Sequence, residues 1–282
     1  ESLWAADLNS LGEPGQSARW GLFLSIPPLD RPGIEAEDAE AFVEDMKDNA
    51  LVPGEPASVV MVSHGHAGAL VAAEKAERAL REDILDVSVV AGVDSLLETE
   101  FLLQLMAERK LKTETNPAGL IPGEAAACVV LETAEHARAR RAEVLARLTR
   151  VRKGFEASPV CGDAPSRADV TARILVEAMA DAPCGAAQIH RIINDLNGER
   201  WRFLEWAMAE ARALTAVPPH RELWHPADCF GDVGAASGAA HLCLAVRAFQ
   251  RSYAVGRAIL VSNASDGGER AAAVVLPGAP DA

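Results

Sequence analysis

The sequence predicts an α/β protein built from two related halves. Three observations predict it. Short apolar runs alternate with amphipathic helical stretches along the 282 residues. The segment "GEAAACVVLE" at 123–132 returns as "GERAAAVVLP" at 268–277, with seven of ten positions identical. Each copy also follows the same order of small-residue helix, apolar strand and turn.

Near the start of the chain, "RWGLFLSIPPLDRPG" reads as a strand and then a loop, because Pro27 and Pro28 lack the donor that a ladder needs. "IEAEDAEAFVEDMKD" reads as an acidic helix with a solvated face. "PASVVMVS" turns into a strand that is too apolar for a solvated edge and too short for a core helix. "MVSHGHAGALVAAEKA" then gives a polar turn with Ser63, His64 and His66, opening into a helix. Ala69, Ala72, Ala73, Ala76 and Leu80 form its apolar stripe, and Lys75, Glu77, Arg78 and Arg81 lie largely off it. "DVSVVAG" is the next strand and "ETEFLLQLMAERKL" a further helix. "NPAGLIPGEAAACVVLE" closes the unit with turn signals and a strand.

The second copy runs from "GAASGAAHLCLAVRAF" through "AILVSN" to "GERAAAVVLP". It lacks the extra helix of the first copy. Between them, "SRADVTARILVEAMADAP" reads as a helix with Asp169 in its first turn, and "AAQIHRIINDLNG" as a strand and polar turn. "ERWRFLEWAMAEARAL" is a helix whose Trp201, Phe203, Trp206 and Met208 suit a core or an interface. His220 and His225 flank a Pro-rich surface loop, and His241 is expected to be a satisfied core histidine. The organisation expected is an N-terminal half over 1–132, a connecting segment over 133–166 with a surface helix or strand leading to a loop, and a C-terminal half over 167–282.

Composition bounds the function. Hydrophobic residues make up 49% of the chain, enough for a sizeable core. A formal net charge of −14 argues against a nucleic-acid partner. No stretch approaches the length of a membrane span, and no signal-peptide pattern is present. The five cysteines are scattered without a CxxC pair, which fits reduced thiols in the cytoplasm. Cys128 and Cys243 lie in apolar runs and read as small core residues. The chain opens with Glu1 rather than Met, which leaves room for an upstream segment.

"VVAGVDSLL", "NPAGLIPGEAAACVVLE" and "CFGDVGAASGAAHLCLAVRAF" together resemble the β-ketoacyl synthase branch of the thiolase superfamily. The resemblance covers 57–132 and 185–276. It implies a thiolase-like duplicated fold with layered α-β-α-β-α architecture, here with a truncated or reduced N-terminal region, and a dimer formed through the middle of the structure. It also implies a cysteine nucleophile at the N-terminus of a buried helix and two assisting histidines. In this chain the cysteine position falls on His66, with Ala67 as the one-residue alternative. The first histidine position falls on Asp195, beside the matching Gly198, and the second on Asp232. None of the three matches by residue type.

Imidazole is a poor substitute for a thiol that must hold an acyl chain, and carboxylates at 195 and 232 would repel a malonyl carboxylate. Three readings of His66, Asp195 and Asp232 stay open. They are remnants in a noncatalytic or partner-dependent subunit of fatty-acid or polyketide-type metabolism. Or they form a rebuilt acyl-thioester hydrolase or acyl-transfer site, with His66 as base, an aspartate orienting it and Ser63 as alternative nucleophile. Or they bind a divalent metal, which no compact ligand motif supports. No cofactor motif is present: GxGxxG, P-loop and HExxH are all missing, and nothing calls for nicotinamide, nucleotide or zinc. The resemblance implies a homodimer or a heterodimer with a catalytic ketosynthase, and an acyl carrier protein or coenzyme A thioester as ligand. Glu124 and its counterpart Glu269 read as turn or interface residues.

Overall fold

The computed structural model describes residues 18–34, 36–48, 56–157 and 167–278. In the first sheet, β1 (Trp20–Ser25) is central and buried throughout. It pairs in parallel with β2 (Ser58–Val62) and with β3 (Val87–Ser95). β4 (Glu124–Glu132) closes this sheet antiparallel to β3, with Val87 opposite Glu132 and Ser95 opposite Glu124. The second sheet repeats the plan. β7 (Ile189–Asn194) pairs in parallel with β8 (Glu222–Trp224) and β9 (Ala258–Ala264). β10 (Glu269–Pro277) lies antiparallel to β9. β5 (Ala146–Leu148) and β6 (Arg152–Phe155) pair with the far side of β10. In both sheets the repeated "GE…VVL" segment is therefore the antiparallel strand that ends the parallel run.

Helices α2 (Gly68–Arg81) and α8 (Ser237–Gln250) lie between the sheets. Leu70 and Ala73 of α2 and Leu242 and Ala245 of α8 share one core with Phe23 and Val90 of the first sheet and Ile259 and Val261 of the second. Strand alternation sends the intervening residues outward. Leu22 and Leu24 meet Val43 of α1 (Ala36–Asp48) on the outer face of the first sheet. Leu260 and Val274 meet α5 (Asp169–Ala180) and α6 (Arg200–Ala213) on the outer face of the second. The result is the α-β-α-β-α order of layers.

The repeat extends to the backbone. A tight turn precedes each central helix, Gly65–Ala67 before α2 and Gly234–Ala236 before α8. Gly65 has φ +54° and Gly234 φ +48°, a left-handed conformation that glycine adopts without strain. Each helix runs 14 residues and is followed by a left-handed residue, Asp83 or Ser252, both at φ +56°. The spacing between copies is 169 residues from Gly65/Gly234 to Ser95/Ala264, and 145 at Glu124/Glu269. The 24 residues that separate these spacings hold α3 (Thr99–Ala107) and its loops, the extra helix expected from the sequence.

Other expectations fared unevenly. The 133–166 segment supplies α4 (Ala134–Ala139), β5 and β6, so part of it is built into the second sheet. The region read as a Pro-rich loop contains the edge strand β8 and the single turn α7 (Ala227–Phe230). Three residues pairing with β7 are too few to leave a period-2 signal. Trp206 is core, whereas Phe203 is 44% exposed. Cys128 and Cys243 are half-buried, and the Cys243 thiol donates to the Cys128 carbonyl at 3.3 Å. The exposed face of α1 is solvated as its acids suggested. Among the described residues no helix is long and apolar enough to cross a membrane.

The packing of this core sets two expectations for stability. Gly238 sits where α8 meets α2, and a Cβ there would lie 3.1 Å from both Ala69 Cβ and the Leu70 backbone nitrogen. Gly238→Val should lower the unfolding free energy by about 1–3 kcal/mol through overpacking, read by urea denaturation. His241 is buried, with Nδ1 3.3 Å from Asn263 Oδ1, and burial pushes its pKa down to about 4. The unfolded chain takes up this proton near pH 6.5 and the folded one does not. The contribution of His241 to stability should therefore be fully present above pH 6.5 and fall, by up to about 3 kcal/mol, as the pH drops toward 4. His241→Gln should flatten that slope in denaturation curves taken across pH 4–7.

Candidate functional site

Three local signals place the candidate residues. Gly65 allows the turn that sets His66 at the N-terminus of α2. Gly231, at φ +82°, leads into Asp232, which occupies the place before α8 that Ser63 occupies before α2. Asp195 follows the last residue of β7, and Gly198 lets the following turn come close to the loop before β4: a Cβ there would lie 2.5 Å from the Gly119 carbonyl oxygen. That turn feeds into α6, whose third residue is Arg202.

The structure brings His66, Asp195 and Asp232 together around Arg202. His66 Nε2 lies 2.7 Å from Asp232 Oδ1. Arg202 approaches His66 Nδ1 at 3.2 Å. It also donates to Asp195 at 3.1 Å, to Glu199 at 3.1 Å, to Asp266 at 2.6 Å and to the Ala264 carbonyl at 2.5 Å. Asn197 Nδ2 donates to Asp232 Oδ2 at 2.5 Å and to Glu199 at 3.0 Å. The Gly234 N–H donates to Asp232 Oδ1 at 2.9 Å, and the Ala264 N–H to Asp195 at 2.7 Å. The Arg202 guanidinium also stands 4.4 Å from the centre of the Trp201 ring.

Burial opposes the charged forms of His66, Asp232 and Arg202, and opposite charges outweigh it. Burial and then Arg202 push His66 down, but the charge and hydrogen bond of Asp232, with Asp195, leave its pKa raised. Burial pushes Asp232 up, yet His66 and Arg202 hold its carboxyl well below the usual carboxylate range. Burial likewise works against the Arg202 cation, and Asp266, Asp195, Glu199 and Asp232 overcome it. With Nε2–H donating to Asp232, the neutral imidazole accepts from Arg202 at Nδ1. Both ring nitrogens are then engaged inside the protein.

His66, Glu199, Arg202, Asp232 and Asp266 line a pocket of about 370 Å³, within the range of small-molecule sites, whereas Asp195 and Asn197 do not reach it. Ser63 lines it too, but neither hydrogen bond of the His66 ring goes to Ser63. Among the described residues no cysteine lines it. Nor is any group of three His, Cys, Asp or Glu among them placed to hold a metal, and at the candidate trio a guanidinium holds the centre. His64 is half-exposed, 3.9 Å from Glu269. Glu269 lines the pocket, whereas its counterpart Glu124 is exposed and accepts from Ser95 Oγ at 3.1 Å.

Sequence reasoning missed Arg202 and Glu199, and read Asn197 as a turn former of interest only for its nearness to the candidate site. The only trace was an acid-rich turn, Asp195 to Glu199, followed three residues later by a basic residue on the same helix face. Nothing local tied that arginine to His66, 136 residues away.

No protein-family model matches the sequence, and no curated protein does. Solved structures match in fold. The oxazolomycin ketosynthase domain OzmH KS7 of Streptomyces albus JA3453 superposes with a TM-score of 0.75 at 16% identity, covering 94% of this chain and 56% of its own. The ketosynthase from module 6 of the bacillaene synthase of Bacillus subtilis 168 gives 0.74 at 17% identity, covering 98% and 55%. A type II polyketide ketosynthase, AntDE, bound to its acyl-carrier protein AntF and the hexaketide, gives 0.75 at 16% identity, covering 96% and 81%. The fold is thus the thiolase-like fold of polyketide ketosynthases. The chain spans just over half the length of the first two.

The linkage signs at this site differ for its two halves. The raised His66 pKa contributes stability that is full below the unfolded value near 6.5 and lost as pH rises through the folded value. The lowered Asp232 pKa contributes stability present above the unfolded value near 3.9 and lost only as pH falls through the folded one. Asp232→Asn should destabilise the protein by about 3–5 kcal/mol near pH 6, since it leaves buried cationic groups short of a partner. The penalty should shrink above the folded His66 pKa, as measured by urea denaturation across pH 5–9.

Proposed function

We propose that this chain is a ketosynthase-like subunit that does not carry out Claisen condensation alone and works with a catalytic ketosynthase in fatty-acid or polyketide-type metabolism. One observation carries the reading. In the turn that leads into the central helix, the residue where the resemblance places a thiol nucleophile is His66, and both its ring nitrogens are held by Asp232 and Arg202. A nucleophile needs a lone pair facing substrate, and this ring offers none. Asp195 and Asp232 stand where the resemblance places histidines. Ionised carboxylates cannot donate hydrogen bonds to a malonyl carboxylate or to the enolate formed on decarboxylation.

On this reading the chain forms a heterodimer with the catalytic ketosynthase, or a homodimer serving the same assembly, in the cytoplasm. An acyl carrier protein or coenzyme A delivers the thioester. The carrier-bound neighbour AntDE supports a carrier partner. The hydrolase alternative is not favoured, because His66 lacks a hydrogen bond to Ser63 and its second nitrogen faces a cation.

The test incubates the chain with acyl and malonyl thioesters of coenzyme A and of a carrier protein. Products and intact-protein mass are followed with and without a cysteine-bearing ketosynthase from its native setting. The expected outcome is no carbon–carbon bond formation and no stable acyl adduct on the chain alone, co-elution with the ketosynthase, and turnover when both are present. Condensation by the chain alone that disappears in His66→Ala would overturn the proposal. So would a strict monomer with no effect on the partner.

A further inference from the structure

The 370 Å³ pocket holds polar groups that the proposed role leaves unused. One face of α3 and the residue just after it, Phe101, Gln104, Leu105 and Glu108, walls the pocket at helical spacing. This wall belongs to the 24-residue insertion of the first half, so the second half has no equivalent.

Three polar atoms of pocket residues make no hydrogen bond within the protein: Arg31 Nε, His64 Nδ1 and Gln104 Oε1. The Arg31 side chain is 8% exposed. Its terminal nitrogen donates to Asp94 at 2.7 Å and to the Ser95 carbonyl at 3.1 Å, and its guanidinium stands 4.7 Å from the centre of the Phe101 ring. That leaves one buried N–H of a cation without an acceptor. Gln104 spends its amide nitrogen on Glu108 at 2.7 Å, which leaves its buried oxygen as an acceptor without a donor. Groups left unmatched in this way have lost their water without gaining a partner, and a ligand that matches them recovers that energy.

Charge narrows the ligand. Seven carboxylates line the pocket against three Lys or Arg side chains. Arg31 is matched to Asp94, Lys110 to Glu108 and Arg202 to several acids at once. Glu269 faces only the half-exposed His64 ring at 3.9 Å among the ion pairs of the described residues. The field inside therefore favours a positive group and repels malonate, phosphate or a free carboxylate. Leu96, Leu105 and Leu120 add an apolar wall.

We propose that this pocket binds a small organic cation that also carries a carbonyl group, namely an α-amino amide or aminoacyl group with an apolar side chain. Arg31 Nε and Gln104 Oε1 are closed off from solvent, so the Arg31 and Gln104 side chains turn toward the pocket on binding and the carbonyl oxygen then accepts from Arg31 Nε. The ammonium lies toward Glu269 and Asp266, an N–H of the ligand donates to Gln104 Oε1, and the apolar side chain packs on the leucines. The inference does not depend on whether the chain condenses thioesters.

Titration calorimetry of the full chain tests it, with leucine amide, N-acetyl-leucine amide, 4-methylpentanamide and malonate at low salt. Leucine amide should bind saturably. Removing its charge by acetylation, or its ammonium in 4-methylpentanamide, should weaken binding at least tenfold, and malonate should not bind. Glu269→Gln and Gln104→Leu should each weaken leucine amide at least threefold while the thermal unfolding midpoint stays within a few degrees. No saturable heat with leucine amide at millimolar concentration overturns the proposal, as does equal binding of the acetylated form or tighter binding of malonate. The ligand series uses the unaltered protein, so it decides the proposal even where a variant fails to fold.

Discussion

The Arg202 guanidinium is the constraint around which the site is organised. It is 2% exposed, and a lone cation at that depth would be too costly to keep charged. Its rigid fork of N–H groups is met by Asp195 from the end of β7, Glu199 from the N-terminus of α6, and Asp266 and the Ala264 carbonyl from the β9–β10 turn. His66 approaches from the turn before α2 in the other half. One side chain thereby ties together segments from both halves. It also explains how carboxylates at 195 and 232 coexist near one another: each is balanced by a cation or a fixed dipole rather than by water.

The two halves keep the same backbone while their chemistry has parted. The glycine turn before α2 and the one before α8 have matching dihedrals. Yet Ser63 corresponds to Asp232, and His66 to Ala235. Before α8, two buried carboxylates accept the leading N–H groups, Asp232 from Gly234 and Asp94 from Ala235. Anions at a helix N-terminus are stabilised by its dipole. Before α2, the Ala67 N–H goes to the neutral Ser265 hydroxyl instead. Fold is conserved between the copies because the central layer demands small residues and tight turns. The groups at the helix ends are free to differ, because no packing rule fixes them.

The insertion of α3 breaks the symmetry further. It adds a wall on one side of the pocket and supplies Phe101 and Gln104, for which the second half has no counterpart. Where the repeat is strict the protein is core. Where it fails, between β3 and β4, one wall of the pocket is built, and the turns before α2 and α8 and after β9 supply much of the rest.

The sequence by itself determined the layered α/β fold. Unbroken apolar runs in "GLFLS" and "AILVS" mark strands buried on both faces, the alanine stripe of α2 marks a helix that packs closely, and the repeated "GE…VVL" marks equivalent strands. These signals are local, because periodicity and small side chains act within one element. Positions 66, 195 and 232 were singled out by the resemblance to β-ketoacyl synthases and not by any local pattern of their own. Only the tertiary structure decided what those residues do. The His66–Asp232 contact spans 166 residues and the Arg202–His66 contact 136. No spacing rule links side chains that far apart. Nothing in the sequence singled out Arg202, because burial is set by what packs against a helix and not by the helix's own sequence. The unmatched Arg31 and Gln104 atoms were equally invisible, since a missing partner is a property of the folded neighbourhood.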